Sequence, residues 1–194
     1  LKDRKYTYRI VFIPETIGSI VYLSQNIEYL KKMVIAGFNI TCVGDDRCFS
    51  YLPSRNGNTL SDSVALHVLK HTDPDFNRYT WLDRGSDERQ YCAPGVDLPI
   101  ATIMRSKYSE YPEYHTSLDD LDFVTTEGLQ GGFKALRNSI QIIENNVYLK
   151  TTVFGEPQLG KRGLYPTLST KESGKQVRKM MNLLSYCDGV NSLL

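Results

Sequence analysis

The sequence predicts an α/β fold in which helices cover both faces of a mixed, mostly parallel sheet. Short runs rich in β-branched and aromatic residues alternate with segments whose apolar residues recur at helical spacing. Such alternation is typical of strand–helix–strand units. The chain has 194 residues, of which 41% are hydrophobic and 23% charged, so it is long enough to bury a globular core.

The first elements follow this alternation closely. Residues 6–13 (Y-T-Y-R-I-V-F-I) predict a buried strand that ends at Pro14. Residues 17–30 carry apolar side chains at helical spacing and predict a helix. Residues 33–43 predict a second strand, which the turn-forming residues 44–46 (G-D-D) close.

The middle of the chain continues the pattern with longer connections. Residues 50–58 are rich in turn-forming residues, and residues 60–70 predict a helix. Residues 79–82 predict a short strand, and residues 98–104 predict another buried strand. Residues 125–145 predict a long amphipathic helix with one apolar face.

The character of the chain changes after Asn146. Residues 148–154 favour β structure, and residues 155–163 form a loop rich in Gly and charged residues. Residues 177–186 predict a helix, followed by a turn and a helix-like start at residues 191–194.

Charged loops follow the predicted strands. In parallel sheets, functional side chains gather on loops at the carboxyl ends of the strands. This rule selects four charged loops in the sequence: residues 14–16, 44–46, 84–89 and 105–120. We therefore expect a functional site where these loops meet.

The strongest local signal is residues 113–122, E-Y-H-T-S-L-D-D-L-D. A neutral imidazole such as that of His115 is a good metal ligand when a carboxylate fixes its tautomer. The alternative is a helix start, with Thr116 or Ser117 as N-cap and acidic residues favoured by the helix dipole. From spacing alone, both interpretations remain open.

Residues 114–124 resemble the Y-H-T-x-x-D-x-x-D-x-V stretch of the zinc aminopeptidase family, which also includes the glutaminyl cyclases. Three more segments resemble that family in the same order: residues 12–19, 36–44 and 85–101. The resemblance covers the chain from about residue 6 to residue 145. It implies a three-layer fold like that of zinc exopeptidases.

A closer resemblance is to bacterial aminopeptidase-like proteins described as polysaccharide-biosynthesis proteins. Four sequence segments show it: F-I-P-E-T-I-G-S, C-V-G-D-D, R-G-S-D-E-R-Q-Y-C and G-E-P-Q-L-G-K-R-G-L-Y-P-T-L-S. The resemblance implies that residues 1–147 are the C-terminal part of an aminopeptidase-like domain. Residues 148–174 would be a connecting β/loop segment, and residues 175–194 the truncated start of a winged-helix-like domain.

The resemblance also implies one or two zinc ions in the full-length protein, with His115 as a ligand. Glu15 matches the family's acidic pair, so it is the expected general base or a further ligand. The family's aspartate falls at Thr41, so Asp45 or Asp46 is expected to replace it, although the two also suit a plain turn. The family's first histidine and bridging aspartate lie upstream of this chain. We therefore expect the chain alone to be inactive.

Other polar residues near these motifs suit supporting roles. Asp87 is expected to take part in catalysis by orienting a neighbouring group. Arg84, Arg89 and Arg105 could bind a substrate carboxylate or phosphate. The alternative is that these arginines form ion pairs with nearby acidic residues. Tyr114 is expected to line the substrate pocket or to pack beside Pro112.

Taken with its resemblance, the sequence predicts a zinc-dependent aminopeptidase-like hydrolase acting on a small peptide or amide substrate. Two alternatives remain: a non-catalytic binding or scaffold module linked to surface-polysaccharide biosynthesis, and an amide-handling transferase or cyclase using one zinc. A net charge of +1 does not favour nucleic acid, and no apolar run approaches the ~20 residues of a membrane span. A homo-oligomer is compatible with the sequence. The four cysteines form no C-x-x-C pair and suggest reduced thiols in a cytoplasmic protein.

Overall fold

A mixed four-stranded sheet forms the centre of the first of two units in the chain, Leu1–Glu144; the second is Asn145–Leu194. The computed structural model describes residues 4–165 and 171–194, without the side chains of residues 171 and 172. The strands of the sheet are β1 (Gly37–Asn39), β2 (Ser50–Leu52), β3 (Asn77–Arg78) and β4 (Ile100–Met104). Their order is β1-β4-β2-β3. The pairs β1–β4 and β2–β3 are parallel, and only the pair β2–β4 is antiparallel. The predicted mixed, mostly parallel sheet is therefore confirmed.

Helices surround this sheet: α1 (Ile17–Met33), α2 (Leu60–Thr72), the short α3 (Glu88–Tyr91) and α4 (Thr126–Asn145). The predicted helices at residues 17–30, 60–70 and 125–145 are confirmed, and the predicted strand at residues 98–104 contains β4. Part of the core lies between α2 and the sheet, and its side chains are at most 1% exposed: Val64, Ala65, Leu69, Ala101 and Ile103. Leu52 and Met104 are equally buried but belong to a separate cluster with Tyr108.

The predicted buried strand at residues 6–13 is wrong for this structure. Phe12 is 92% exposed and Ile10 is 75% exposed, and the segment joins no sheet among the described residues. A β-rich run becomes a strand only when a neighbouring strand binds its backbone groups. Here the segment is tied instead to Glu144 in α4, which accepts hydrogen bonds from the Tyr8 hydroxyl at 2.6 Å and the Lys5 amide at 2.7 Å.

Three other local predictions need correction. The strand predicted at residues 33–43 is only β1, because α1 extends to Met33 and Cys42 has a positive φ of 47°. The turn-rich residues 50–58 begin with β2, whose side chains are buried. The strand predicted at residues 79–82 is wrong. That segment contains a 3-10 turn, Trp81–Asp83, which the Thr80 hydroxyl caps.

The second unit contains strands β5 (Tyr148–Lys150) and β6 (Asp188–Ser192), which pair in antiparallel fashion, and helix α5 (Lys171–Ser185). The predicted helix at residues 177–186 lies largely within α5. The helix start predicted at residues 191–194 is wrong, because β6 continues to Ser192 and its pairing with β5 satisfies the backbone there. Residues 166–170, which include the end of the G-E-P-Q-L-G-K-R-G-L-Y-P-T-L-S phrase, lie outside the described residues. None of the described helices combines the length and apolar character needed to cross a membrane.

A buried carboxylate fixes the start of α2. Asp62 is 1% exposed and accepts hydrogen bonds from the Tyr51 hydroxyl at 2.8 Å and the Ser54 amide and hydroxyl at 2.8 and 2.5 Å. It also accepts from the Thr59 amide at 2.9 Å and hydroxyl at 2.6 Å. Asp62 therefore joins the helix cap to the end of β2.

We expect the Asp62 carboxylate to make the free energy of unfolding fall at acid pH. Burial acts to raise the pKa of Asp62, but the hydrogen bonds from Ser54 and Thr59 outweigh it and hold the pKa below its ordinary value of 3.8. The stabilising contribution of ionised Asp62 to the free energy of unfolding is therefore complete above the pKa of the unfolded state. It is lost as pH falls from about 3.8 through the pKa of the folded state. Urea unfolding of the wild type and of Asp62→Asn, from pH 7 to about pH 2.5, measures it.

The wild type must be compared with Asp62→Asn because other carboxylates also make the protein less stable as pH falls. The Asp97 pKa is lowered beside Arg55, and the Glu113 pKa is lowered beside Arg47. These residues are unchanged in Asp62→Asn, so the wild type should lose more stability on acidification than the variant. Equal losses would show that Asp62 makes no pH-dependent contribution.

Helix α4 packs closely on the turn after β1 because it carries glycine at the contact. A Cβ atom on Gly128 would overlap the carbonyl oxygens of Gly44 and Asp45, and one on Gly132 would meet the Val43 carbonyl oxygen at 2.7 Å. The Thr125 amide donates to the Gly44 carbonyl at 2.9 Å, which fixes the start of the helix there.

Gly128→Ala is therefore expected to destabilise the first unit by about 1–3 kcal/mol, since backbone must move to admit the methyl group. Gly174→Ala in α5 is the control, because nothing lies within 4 Å of a Cβ atom there. That change should be neutral or slightly stabilising in a helix. Thermal unfolding of both variants measures the effect, and equal melting temperatures would contradict the close packing.

Candidate active site

A cavity of about 420 Å³ opens at the end of the sheet where β1 and β4 run into their following loops. All four charged loops selected from the sequence contribute to its wall. The lining residues are Glu15, Thr41, Cys42, Val43, Gly44, Asp45, Ser86, Tyr108, Tyr111, Tyr114, His115, Asp119, Phe123, Val124 and Leu129. The parallel pairing of β1 with β4 brings these loops together, because the carboxyl ends of parallel strands meet at one edge.

His115 and Glu15 line this same cavity. His115 is exposed, and its ring stacks on the Tyr114 ring with centroids 3.9 Å apart and planes 16° apart. Stacking fixes the plane of this exposed imidazole. The roles of His115 as a metal ligand, of Glu15 as base or ligand and of Tyr114 as a substrate contact stay predictions.

An aromatic cluster forms one wall of the cavity. The Tyr111 ring stacks on Phe123 at 4.8 Å and meets Tyr114 edge-on at 5.5 Å. The Tyr111 hydroxyl donates to the Asp119 carboxylate at 3.3 Å and lies 3.7 Å from the Cys42 sulfur. Burial raises the pKa of Tyr111, and Cys42 and Asp119 raise it further, so this phenol remains a donor at neutral pH.

Strained backbone is concentrated around the cavity. Four of the five described non-glycine residues with positive φ lie here: Thr16 (62°), Cys42 (47°), Ser109 (64°) and His115 (57°); the fifth, Asp97, lies outside the cavity lining. Cys42 and His115 line the cavity, and Thr16 and Ser109 directly follow the lining residues Glu15 and Tyr108. Such angles are rare for residues other than glycine, and strain of this kind tends to persist at functional sites.

The two aspartates after β1 differ sharply in environment. Asp45 is buried, and its carboxylate accepts from the Ser106 amide at 2.9 Å, the Ser106 hydroxyl at 2.7 Å and the Arg47 amide at 3.1 Å. This arrangement favours the turn interpretation of Asp45. Asp46 is exposed and accepts from the Thr125 hydroxyl at 3.0 Å. A metal-ligand role for either residue stays a prediction.

Arg84 and Arg105, two of the three arginines predicted to bind substrate, are not part of the cavity lining. The Arg105 guanidinium is buried, donates from Nε to the Asp45 carbonyl at 2.6 Å and lies 3.9 Å from the Phe49 ring centroid. Arg84 is exposed and lies over the Trp81 ring at 5.0 Å. In this structure Arg105 supports the loop that carries Asp45, and substrate binding by either arginine stays a prediction.

Asp87 and Arg89 both contact Thr16, the residue after Glu15. The Thr16 amide donates to the Asp87 carboxylate at 2.7 Å, and Arg89 donates to the Thr16 hydroxyl at 2.7 Å. Neither residue is part of the cavity lining. The catalytic role predicted for Asp87 and the substrate contact predicted for Arg89 stay predictions.

Glu88 is a structural centre that sequence reasoning missed. It is fully buried and accepts from the Gly85 amide at 2.7 Å, the Ser86 amide at 3.0 Å, the Asn39 amide group at 2.8 Å and the Tyr108 hydroxyl at 2.8 Å. The residue thereby joins two of the loops around the cavity to the end of β1. The available signal was an acidic residue at a helix start after Gly-Ser, which resembles an exposed cap.

The described residues do not form a complete metal site. Within residues 4–165 and 171–194, no three His, Cys, Asp or Glu side chains come together as they would around a metal ion. His115 and Glu15 line one cavity, whereas a catalytic zinc ordinarily has three protein ligands. A zinc ion at this cavity would therefore need at least one further ligand from outside the described residues.

Comparison with known proteins gives two family matches. The family model described as "Domain of unknown function (DUF4910)" matches residues 1–146, and the one described as "winged helix-turn-helix" matches residues 146–194. The predicted C-terminal winged-helix-like segment is therefore confirmed.

A relative in Clostridium acetobutylicum is named "Putative polysaccharide biosynthesis protein with aminopeptidase-like domain". It is 40% identical over 192 residues, which cover 98% of this chain and 44% of the relative. The crystal structure of a putative peptidase from the same organism matches with a TM-score of 0.82 and 38% identity, over 98% of this chain and 42% of that one. The chain thus spans less than half the length of these relatives.

A more distant structural match is an aminopeptidase from Aneurinibacillus sp. strain AM-1. Its TM-score is 0.53 and its identity 19%, over 66% of this chain and 30% of that chain. This likeness is one of fold, and it confirms the predicted aminopeptidase-like α/β architecture.

Proposed function

The chain belongs, through residues 1–146, to the family of the DUF4910 domain, and from this premise we propose that it forms part of the active site of a zinc-dependent, aminopeptidase-like hydrolase of peptide or amide bonds. The observation that carries the proposal is the cavity of about 420 Å³ that Glu15 and His115 both line. The aminopeptidase-like fold supports it, as does the name of the C. acetobutylicum relative.

In this proposal His115 holds one zinc ion, and the remaining ligands for one or two ions come from residues outside the 194 of this chain. Bound zinc would polarise the carbonyl of the scissile bond. Asp119, which lines the same cavity, is the proposed acceptor for the imidazole N–H of His115 and would fix its tautomer.

Glu15 is the proposed general base. Among the described residues, none engages its carboxylate in a hydrogen bond or ion pair, and the side chain is exposed at the cavity. A free carboxylate there can take a proton from the attacking water and return it to the leaving amine.

The cavity wall also indicates which substrates to try first. Tyr111, Tyr114, Phe123 and Val124 offer an apolar surface beside His115, and an apolar or aromatic side chain next to the scissile bond would fill it. Small aminoacyl amides of Leu and Phe are therefore the proposed first substrates.

A second candidate is a non-catalytic binding or scaffold module connected with polysaccharide biosynthesis. The name of the C. acetobutylicum relative favours it, because that name refers to polysaccharide biosynthesis. A module of this kind would need neither zinc nor Glu15.

Turnover separates the two candidates. The protein that carries this chain would be assayed on Leu- and Phe-4-nitroanilide as isolated, after chelation and after addition of zinc. The hydrolase proposal predicts activity that chelation abolishes and zinc restores, whereas the 194-residue chain alone should be inactive. A zinc-free protein that shows no turnover and whose melting temperature zinc does not change would favour the scaffold.

A further inference from the structure

The chain makes a strained turn directly after Glu15. Thr16 has φ 62° and ψ −67°, and the Ile17 amide donates to the Glu15 carbonyl at 2.7 Å. These values describe the rarer form of the γ-turn, with positive φ, which is strained even for residues without a branched Cβ. A β-branched residue such as threonine is especially unfavourable at positive φ.

Contacts from Asp87, just before α3, and from Arg89 within α3 hold this turn. The Thr16 amide donates to Oδ1 of the half-buried Asp87 at 2.7 Å, and Nη2 of Arg89 donates to the Thr16 hydroxyl at 2.7 Å. Helix α1 begins immediately afterwards, with the Ile20 amide donating to the Thr16 carbonyl at 3.0 Å. The amide, the hydroxyl and the carbonyl of Thr16 therefore all make hydrogen bonds.

We propose that Asp87 is a positioning residue for Glu15: by holding the strained turn at Thr16, it directs the Glu15 carboxylate into the cavity. The Thr16 peptide joins Glu15 to the start of α1, so a relaxed turn would aim the carboxylate elsewhere. Strain persists only where surrounding contacts maintain it, and Asp87 supplies the contact to the backbone. Arg89 supports the same turn through the Thr16 hydroxyl. This inference rests on the proposed role of Glu15 as base.

The first test compares Asp87→Ala with Asp87→Asn in the protein that carries this chain. Asparagine keeps the acceptor oxygen and alanine removes it, so Asp87→Ala should lower kcat by about 10–100-fold with little change in KM. Asp87→Asn should lose less than about threefold, because the positioning contact remains. An acid or base role for Asp87 predicts instead that both variants lose activity equally. The exposed Asp75→Ala is the control and should match the wild type.

The second test relieves the strain itself. Glycine adopts positive φ without cost, so adding Thr16→Gly to Asp87→Ala should recover part of the lost kcat and raise the melting temperature by about 2–4 °C. A double variant as slow and as unstable as Asp87→Ala would overturn the proposal.

A third measurement does not depend on activity. Hydrogen exchange of the Thr16 amide, measured on the 194-residue chain, should be at least about tenfold faster in Asp87→Ala than in the wild type. Unchanged exchange would overturn the positioning role. Faster exchange in a protein that hydrolyses no substrate would support Asp87 as the residue that holds the turn while rejecting the hydrolase function.

Discussion

Glu15→Gln is expected to lower kcat of the protein that carries this chain by about 10²–10⁴-fold, because an amide of the same shape cannot take a proton from water. The zinc content should stay unchanged if Glu15 is the base. The side chain lines the cavity, and within the described part of the chain it has no hydrogen-bonding or ion-pair partner, so the substitution disturbs no internal contact.

Glu28→Gln is the matched control for this prediction. Glu28 is an exposed residue of α1 and lies outside the cavity lining, so its substitution should leave kcat and zinc content unaltered. Loss of zinc in Glu15→Gln would instead assign Glu15 as a ligand, and full activity would remove it from the mechanism.

Asp62→Ala is expected to destabilise the first unit by about 3–5 kcal/mol, the largest effect on stability that we predict. The variant leaves the amides and hydroxyls of Ser54 and Thr59 and the Tyr51 hydroxyl without their acceptor. Ser54 and Tyr51 are buried, so water cannot readily replace the lost carboxylate.

Urea unfolding of the 194-residue chain, followed by circular dichroism, measures this loss. Asp75→Ala removes an exposed carboxylate and should change the free energy of unfolding by no more than about 0.5 kcal/mol. An Asp62→Ala variant as stable as Asp75→Ala would mean that the hydrogen bonds around Asp62 contribute little.

The long helices and the buried strand β4 could be predicted from the sequence because their apolar periodicity is local information. Residues 6–13 could not be predicted correctly from local composition alone. Their composition favours a strand, yet strand formation depends on a neighbour, and none of the described strands pairs with them. The short strands β2 and β3 were missed for the opposite reason, since pairing with β4 and β2 forms them in segments with many turn residues.

The candidate site was predictable as a set of loops. The rule on the carboxyl ends of strands selected the four loops that line the cavity, and the family resemblance selected Glu15 and His115 within them. The part played by each charged residue was not predictable. Arg105 and Glu88 look like ordinary surface residues in the sequence, and only their burial shows that they hold the loops together.

The strained turn at Thr16 was also invisible in the sequence. Threonine gives no sign of a positive φ, and its contact Asp87 lies 71 residues away. Such a turn arises from tertiary contacts, which override the preference of the individual residue.

The central claim is that His115 holds a zinc ion at the cavity that Glu15 also lines. Zinc content of the protein that carries this chain, measured by elemental analysis for the wild type, His115→Gln and His67→Gln, tests it most directly. His67 is an exposed histidine of α2 outside the cavity lining, so His67→Gln should retain the wild-type zinc content. We expect about one or two zinc ions per chain in the wild type and at least one fewer in His115→Gln. A wild type free of zinc, or an undiminished zinc content in His115→Gln, would contradict the claim.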